Sequence, residues 1–187
     1  KETQNKEIED YIKNQGKKII YVLNKSDLVE SMEKSFLFPS IYISSKKRNG
    51  GGILRDRIKI EAKKIKKDQI TVGVIGYPNT GKSSLINLLT GKNSAKISSE
   101  AGFTKGVQKL RLSKNIMLLD SPGVIPNEEY STEKSNKKHA EIGVRTYDRI
   151  KDPEIIVAEL MRKYPNIIEN FYKIDANGDS EILIEKI

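Results

Sequence analysis

The sequence contains no cysteine and only one histidine. The absence of cysteine excludes disulfides, thiolate metal sites and cysteine nucleophiles, and a single histidine argues against a histidine zinc site or a Ser-His-Asp triad. No stretch of eighteen consecutive apolar residues occurs, and the charged residues 1–10 lack the apolar core of a signal peptide. These absences favour a cytoplasmic, monomeric protein with no membrane partner.

Positive charge is what the sequence has in excess. There are 34 Lys and Arg residues against 25 Asp and Glu, a formal net charge of +9 on 187 residues. Hydrophobic residues make up 36%, which with this length predicts one compact domain, or one domain with a small appendage. The charge surplus predicts a polyanionic partner without identifying it.

The first two thirds of the chain alternate between strand and helix patterns. We predict strands at 18–24, 40–44, 69–75, 107–112 and 115–119, the last fully buried, and helices at 8–14, at 83–90 and from Leu54 onward. A glycine turn is predicted at 50–52. The helix that begins at Leu54 would bury one face, formed by Leu54, Ile58, Ala62 and Ile65. The alternation predicts an α/β fold with one parallel sheet.

The composition changes after Asn127. Residues 130–138 are polar and basic, and we expect the neighbouring His139 to be exposed. Helices are predicted at about 140–150 and from Asp152-Pro153-Glu154, the second with Ile156, Leu160, Met161 and Tyr164 on one face. We therefore predict an α/β domain over residues 1–127 and a linker with an α-helical region over residues 128–187.

Residues 76–83 match the phosphate-loop pattern G-x-x-x-x-G-K-[ST], between a strand and a helix. Backbone N–H groups of such a loop surround phosphate oxygens, and the helix N-terminus adds partial positive charge. Lys82 would bridge the β- and γ-phosphates, and the Ser83 hydroxyl would coordinate Mg²⁺. The other nucleotide contacts predicted here are Asn79, Thr80, Gly81 and Ser84.

A second phosphate-sensing loop is predicted at Asp120-Ser121-Pro122-Gly123. The pattern D-x-x-G is too short to be specific, but here it follows a buried strand directly. From that position Asp120 can reach Mg²⁺ through a water molecule, and the Gly123 N–H can meet the γ-phosphate.

Asn24-Lys25-Ser26-Asp27 follows the first strand and resembles the N-K-x-D signature with which GTPases select guanine. An ionised Asp27 would accept from N1–H and the 2-amino group of guanine, a pair of donors that adenine lacks. Asn24 would contact the ring edge and brace the phosphate loop, while Lys25 would pack along the base. Ser44-Ser45-Lys46 looks like the S-A-K loop, whose backbone N–H meets guanine O6.

These loops stand in an unusual order, because ordinary GTPases have the base loops after the phosphate loops. All lie at the carboxyl edge of a parallel sheet, so re-joining the termini leaves the site intact. Together with the runs at 78–87 and 101–106, this order resembles the circularly permuted GTPases of ribosome assembly, the YlqF/YawG group with its archaeal and nucleostemin-like relatives. The resemblance covers roughly residues 18–127 and implies a permuted Ras-like P-loop domain with a mostly parallel sheet.

The resemblance also implies roles for individual residues. Thr104 matches the switch threonine, which completes the Mg²⁺ shell with Ser83 and, through water, Asp120; residues 91–105 are the expected switch. Asn79 matches an asparagine that helps to bind K⁺. Lys82, Thr104 and Gly123 are the expected catalytic residues, and Val124 replaces the usual water-orienting glutamine, so unassisted hydrolysis should be slow.

Domains of this family normally begin with a strand that precedes the first helix and lies inside the sheet. Residue 1 already falls near the first predicted helix, so we expect this strand to be missing from the sequence.

The motifs and the family resemblance together predict a GTPase that binds GTP and GDP with Mg²⁺ and K⁺. The resemblance also implies an assembly factor that binds a pre-ribosomal subunit or its rRNA in a nucleotide-dependent way. One alternative is a GTP-gated RNA-binding module in which hydrolysis is incidental. Another is a P-loop ATPase or kinase, in which the N-K-S-D match is accidental.

Overall fold

In the computed structural model the described residues are 3–29, 37–91, 108–126, 129, 138–140 and 153–187. The chain divides into two compact units, Lys1–Tyr130 and Ser131–Ile187. Within the described ranges, none of the helices combines the length and the apolar character needed to cross a membrane.

The first unit alternates strands and helices, as predicted. Its elements are α1 (Lys6–Asn14), β1 (Tyr21–Leu23), a 3-10 turn (Ser26–Leu28), β2 (Ser40–Tyr42), α2 (Gly51–Lys64), β3 (Ile70–Val74), α3 (Lys82–Thr90), β4 (Gln108–Ser113) and β5 (Ile116–Asp120). The first two strands are shorter than their apolar runs, because pairing with a neighbouring strand, rather than hydrophobicity, sets the ends of a strand.

The strands form two sheets. β1 pairs in parallel with β2, and a three-stranded sheet has the order β3-β5-β4, with β3 parallel and β4 antiparallel to β5. Most of the pairing is therefore parallel, but the expectation of a single sheet is wrong for the described strands. Among the strands that the structure describes, β1 pairs only with β2 and β3 only with β5, so no ladder joins the two sheets.

A common apolar core holds both sheets together. It contains Leu54, Ile58 and Ala62 of α2, at the predicted helical spacing, and Leu85, Ile86 and Leu89 of α3. Side chains from both sheets pack against these helices, among them Val22, Ile41, Val72, Val74 and Leu118. The carboxyl ends of β1 and β3 are thus fixed relative to each other although the strands do not pair.

Three details of this unit correct the sequence predictions. Gly51 and Gly52 belong to α2 rather than to a turn, with Gly50 at φ 77° as the N-cap. Ile65 follows the end of α2 and is 42% exposed, so it does not extend the buried face. β5, predicted to be fully buried, alternates between buried and half-buried residues, and its Ile116 and Leu118 lie in the core with α2 and α3.

α1 is tied to β1 through a side-chain contact. The Tyr21 hydroxyl donates to Glu9 Oε2 at 2.9 Å. Burial, together with this hydrogen bond and the charge of Glu9, raises the pKa of Tyr21 to about 12. This hydrogen bond holds α1 against the first residue of β1.

The second unit is helical, with α4 (Pro153–Lys163), α5 (Ile167–Tyr172) and α6 (Ser180–Lys186). Met161 is buried with residues of the later segments, Ala176 and Leu183, whereas Tyr164 is 44% exposed and does not share the buried face. His139 lies in a helical segment at 138–140 and is fully buried, so the expectation of an exposed side chain is wrong. Burial depends on what packs around a residue, and the polar, basic sequence of residues 130–138 gives no sign of that packing.

Candidate functional site

The candidate site lies where strands end. The two predicted base loops follow β1 and β2, the phosphate loop follows β3, and Asp120 is the last residue of β5. The strands within each parallel pair end on the same side, because β1 runs parallel to β2 and β3 to β5. The carboxyl ends of parallel strands are the usual location of nucleotide sites in α/β folds.

The phosphate loop has the backbone needed for a tight turn into a helix. Asn79 and Gly81 have φ angles of 58° and 86°, and α3 begins at Lys82. Asn79 and Ser84 are both half-buried. The Thr80 hydroxyl donates to the Tyr77 carbonyl at 2.7 Å, which closes the turn on itself.

The Lys82 ammonium group points back onto its own loop. It donates to the Gly76 carbonyl at 3.1 Å and to the Tyr77 carbonyl at 2.7 Å. Burial lowers the pKa of Lys82, and the Asp120 carboxylate partly offsets this effect. Lys82 is therefore held at the loop by carbonyl oxygens that a phosphate group could replace.

Ser83 and Asp120 meet as a magnesium site requires. The Ser83 hydroxyl donates to Asp120 Oδ2 at 2.9 Å, and Asp120 is 1% exposed. Its other oxygen, Oδ1, is buried and has no hydrogen-bond partner among the described residues. A buried carboxylate oxygen without a donor beside a hydroxyl is an oxygen-rich setting that suits Mg²⁺.

The D-x-x-G segment lies directly against the phosphate loop. The Val124 N–H donates to the Gly76 carbonyl at 3.0 Å, and the Ser121 hydroxyl donates to the Val74 carbonyl at 2.7 Å. A Cβ at Gly123 would lie 2.6 Å from the backbone nitrogen of Pro78, so only glycine allows this approach. The two phosphate-sensing loops are therefore in contact.

A hydrogen bond from Ser44 orients the Asp27 carboxylate. The Ser44 hydroxyl donates to Asp27 Oδ1 at 2.5 Å, while Ser44 itself accepts from the Lys47 N–H at 3.0 Å. This hydrogen bond, and to a smaller extent the charges of Lys46 and Lys47, hold the pKa of Asp27 below its ordinary value. An ionised carboxylate in a fixed orientation is what guanine recognition needs.

Asn24 connects the base loops to the phosphate loop. Its Nδ2 donates to the Thr80 carbonyl at 3.0 Å, and its Oδ1 accepts from the N–H and the hydroxyl of Ser45 at 3.2 and 3.0 Å. Lys25, at φ 60°, and Lys46 are exposed beside these loops. The expected residues of both base loops and the phosphate loop are thus brought together, whereas Thr104 and all but the first residue of the 91–105 segment lie outside the described residues.

Tyr77 and Glu129 are contacts that sequence patterns do not reveal. Tyr77 is fully buried, and its hydroxyl donates to Glu129 Oε1 at 2.9 Å. The bond joins the phosphate loop to the segment that follows D-x-x-G. A large aromatic residue at an x position of the phosphate loop is the only sequence signal for it.

Comparisons with known proteins agree with this geometry. Residues 71–182 match the model of a family described as 50S ribosome-binding GTPase. The chain is 40% identical over 191 residues to the uncharacterized GTP-binding protein MJ1464 of Methanocaldococcus jannaschii, covering 99% of this chain and 50% of that protein. It is 33% identical over 196 residues to nucleolar GTP-binding protein 2 of Saccharomyces cerevisiae, covering 98% of this chain and 40% of that protein. The chain thus spans half or less of the length of these relatives.

A solved structure shares the fold. The GDP-bound structure of TM YlqF aligns with 89% of this chain, and the chain covers 74% of that protein, at 21% identity and a TM-score of 0.51. The family match covers more than half of this chain, including both phosphate-sensing loops. The chain therefore belongs to the 50S ribosome-binding GTPase family.

Proposed function

We propose that this chain binds GTP and GDP and hydrolyses GTP as the nucleotide-binding part of a ribosome-assembly factor. The observation that supports the proposal is the hydrogen bond from Asn24 to the Thr80 carbonyl, which joins residues 24–27 to the phosphate loop. Asp27 then stands at the base end of the site, and Lys82 and Asp120 at the phosphate end.

The described residues suggest how GTP is held. Asp27 accepts from the two donors on the guanine edge, and Lys82 exchanges the Gly76 and Tyr77 carbonyls for phosphate oxygens. The N-terminus of α3 adds favourable partial charge. Ser83 and Asp120 are the residues to hold Mg²⁺, which when bound neutralises charge on the β- and γ-phosphates.

Hydrolysis should be slow without assistance. Val124 follows Gly123 and has an apolar side chain that cannot orient the attacking water. The Gly123 N–H would meet the γ-phosphate, and the absence of a side chain at Gly123 lets this segment lie against Pro78. Thr104 stays the predicted last ligand of the magnesium shell.

Potassium activation is part of the proposal. Asn79 occupies the phosphate-loop position expected for a K⁺ ligand. Its backbone is in the left-handed region, at φ 58°, in the turn that precedes α3. We expect faster GTP turnover in KCl than in NaCl at equal ionic strength, while Asn79→Ala removes the difference. Equal rates in the two salts for the unaltered chain would contradict this part.

The proposed larger partner is a pre-ribosomal subunit or its rRNA. The family description names ribosome binding, and the yeast relative is described as nucleolar. On α2, Glu61 forms ion pairs with Arg57 and Lys64 at 3.0 and 3.1 Å, so these cations are partly neutralised. The exposed Lys63, Lys66 and Lys67 are better placed to contact phosphates. A cytoplasmic setting stays a prediction.

Binding to RNA should depend strongly on salt, because each phosphate contact releases counterions. Replacing Lys63, Lys66 and Lys67 by alanine should reduce the slope of log affinity against log salt by up to about 3, roughly 0.9 per contact. Co-sedimentation with ribosomal subunits in GDP, GTP or a non-hydrolysable analogue measures binding and nucleotide dependence together. An unchanged slope would assign the contact to another surface.

Val124 favours one alternative, a GTP-gated RNA-binding module whose hydrolysis is incidental. Ribosomal subunits should accelerate GTP turnover if the chain is an assembly GTPase. Nucleotide-dependent RNA affinity without acceleration would favour the binding module.

Base selection tests the nucleotide assignment directly. Asp27→Asn should shift preference from guanine to xanthine nucleotides, because an amide can donate to the xanthine carbonyl where the carboxylate accepted from the guanine amino group. Competition between GDP and XDP for a fluorescent nucleotide measures the shift. Undiminished GTP binding by Asp27→Asn, with loss of binding in Lys82→Ala, would instead support a P-loop ATPase or kinase.

A further inference from the structure

The side chain of Asn24 lies between the second base loop and the phosphate loop. Its Nδ2 donates to the Thr80 carbonyl, and its Oδ1 accepts from both polar groups of Ser45. Reversing the amide would turn its N–H groups toward the donors of Ser45 and its oxygen toward the Thr80 carbonyl. Only one orientation of the amide is therefore favourable.

The phosphate loop leaves no room for Asn24 to move toward it. A Cβ at Gly81 would clash with Asn24 Nδ2, so the amide rests directly on the glycine that precedes α3. Any tilt of Asn24 must then change either the Thr80 contact or the position of Gly81. The side chain can thus transmit displacement between the two loops.

Ser45 donates two hydrogen bonds to Asn24, one from its backbone N–H and one from its hydroxyl, and only the N–H is also expected to contact the base. Its N–H, at 3.2 Å from Asn24 Oδ1, belongs to the loop expected to meet guanine O6. Its hydroxyl, at 3.0 Å, has no such second role. If the N–H turns to the base, the hydroxyl still fixes Asn24; an alanine, as in the S-A-K pattern, would leave Oδ1 without this donor.

We propose that the Ser45 hydroxyl is a positioning group that keeps Asn24 on the phosphate loop while guanine is bound, and thereby slows release of the nucleotide. This inference rests on the proposed binding of guanine nucleotides. Ser45 acts on the base loop through Asn24 and not through Asp27, which Ser44 holds separately.

The test compares dissociation rates of a fluorescent GDP from four proteins: the unaltered chain, Ser45→Ala, Asn24→Ala and the double variant. Loss of one hydrogen bond in Ser45→Ala should accelerate release about two- to tenfold. In the Asn24→Ala background the same substitution should add nothing, because its target is gone. The preference for GDP over XDP should stay unchanged.

Two further variants complete the design. Ser45→Thr retains the hydroxyl and should release GDP at nearly the original rate. Ser113→Ala is the control. Ser113 is the last residue of β4 and pairs with Ile116, which lies at the opposite end of β5 from Asp120. Loss of its hydroxyl should leave the GDP release rate unchanged. Folding of every variant is checked by thermal unfolding.

The possible results distinguish a failure of the Ser45 positioning role from a failure of guanine-nucleotide binding itself. An unchanged rate in Ser45→Ala, or an equal acceleration with and without Asn24, overturns the positioning role. Failure of Ser45→Thr to preserve the rate while it remains folded also counts against it. If the unaltered chain binds no guanine nucleotide under conditions in which it is folded, the proposed function itself fails.

Discussion

At the scale of single residues, the hydroxyl of Ser44 favours the ionised form of Asp27, the carboxylate proposed to read the base. Its hydrogen bond lowers the pKa of Asp27 from an ordinary value of 3.8. A carboxylate with a depressed pKa contributes stability above its unfolded pKa, and this contribution is lost as the pH falls through the folded pKa. Asp27 should therefore stay ionised when ordinary aspartates begin to protonate.

Ser44→Ala should move this titration to higher pH. Removing the donor lets the pKa of Asp27 rise toward 3.8, so the carboxylate protonates earlier on acidification. Carbon-13 NMR of the Asp27 carboxyl group measures the midpoint in both proteins, with Ser113→Ala as the matched control. Identical midpoints for the unaltered chain and Ser44→Ala would contradict the assigned cause.

At the scale of elements, α3 joins the core to the phosphate loop. Ile86 is fully buried on this helix, whereas Ile60 on α2 is 51% exposed. Ile86→Ala should lower the free energy of unfolding by about 2–5 kcal/mol because it leaves a cavity, while Ile60→Ala should change it by no more than about 0.5 kcal/mol. Urea denaturation measures both, and similar losses would show that α3 does not anchor the core.

The contact of Tyr77 with Glu129 joins two elements of the site. Tyr77→Phe keeps the buried ring and removes the hydroxyl, so the first unit should lose about 1 kcal/mol, the worth of one hydrogen bond. Glu129→Gln keeps a carbonyl acceptor and should lose less. Hydrogen exchange of the phosphate-loop amides measures the change; equal protection in Tyr77→Phe and the unaltered chain would show that the bond does not hold the loop.

At the scale of the whole molecule, we propose that a further strand fits between β1 and β3. Among the described residues these strands do not pair with each other, yet both pack on the core formed by α2 and α3. α1 also leads into β1, and a helix in that position normally connects two parallel strands. An added strand would pair with both free edges.

An extension before Lys1 tests this proposal. A copy of residues 18–24, attached through a short Gly-Ser linker, supplies a strand-forming sequence; a copy with alternate prolines cannot donate to a ladder and is the control. With the strand-forming extension, hydrogen exchange should become slower at those amides of β1 and β3 that do not donate to β2 or β5. The proline-containing extension should leave their exchange unchanged. Equal exchange with both extensions would exclude a strand at this place.

Short stretches of the sequence were enough to predict the candidate loops and their order along the chain. The phosphate loop, Asp120 and the base loop are contiguous patterns in which residue type and strand-helix context coincide, and the helical spacing of Leu54, Ile58 and Ala62 marks their common face. These features could be predicted because each depends on neighbours within a few residues.

Contacts between distant parts of the chain depend on how its strands and helices pack. Tyr77 and Glu129 are 52 residues apart, a distance at which no periodicity carries information. The contact between Asn24 and Thr80 spans 56 residues and was expected only because Asn24-Lys25-Ser26-Asp27 resembles the N-K-x-D signature. The separation into two sheets and the burial of His139 likewise depend on which strands and helices pack together. Local patterns specify what a loop can bind, whereas the path of the chain specifies which other loop lies against it.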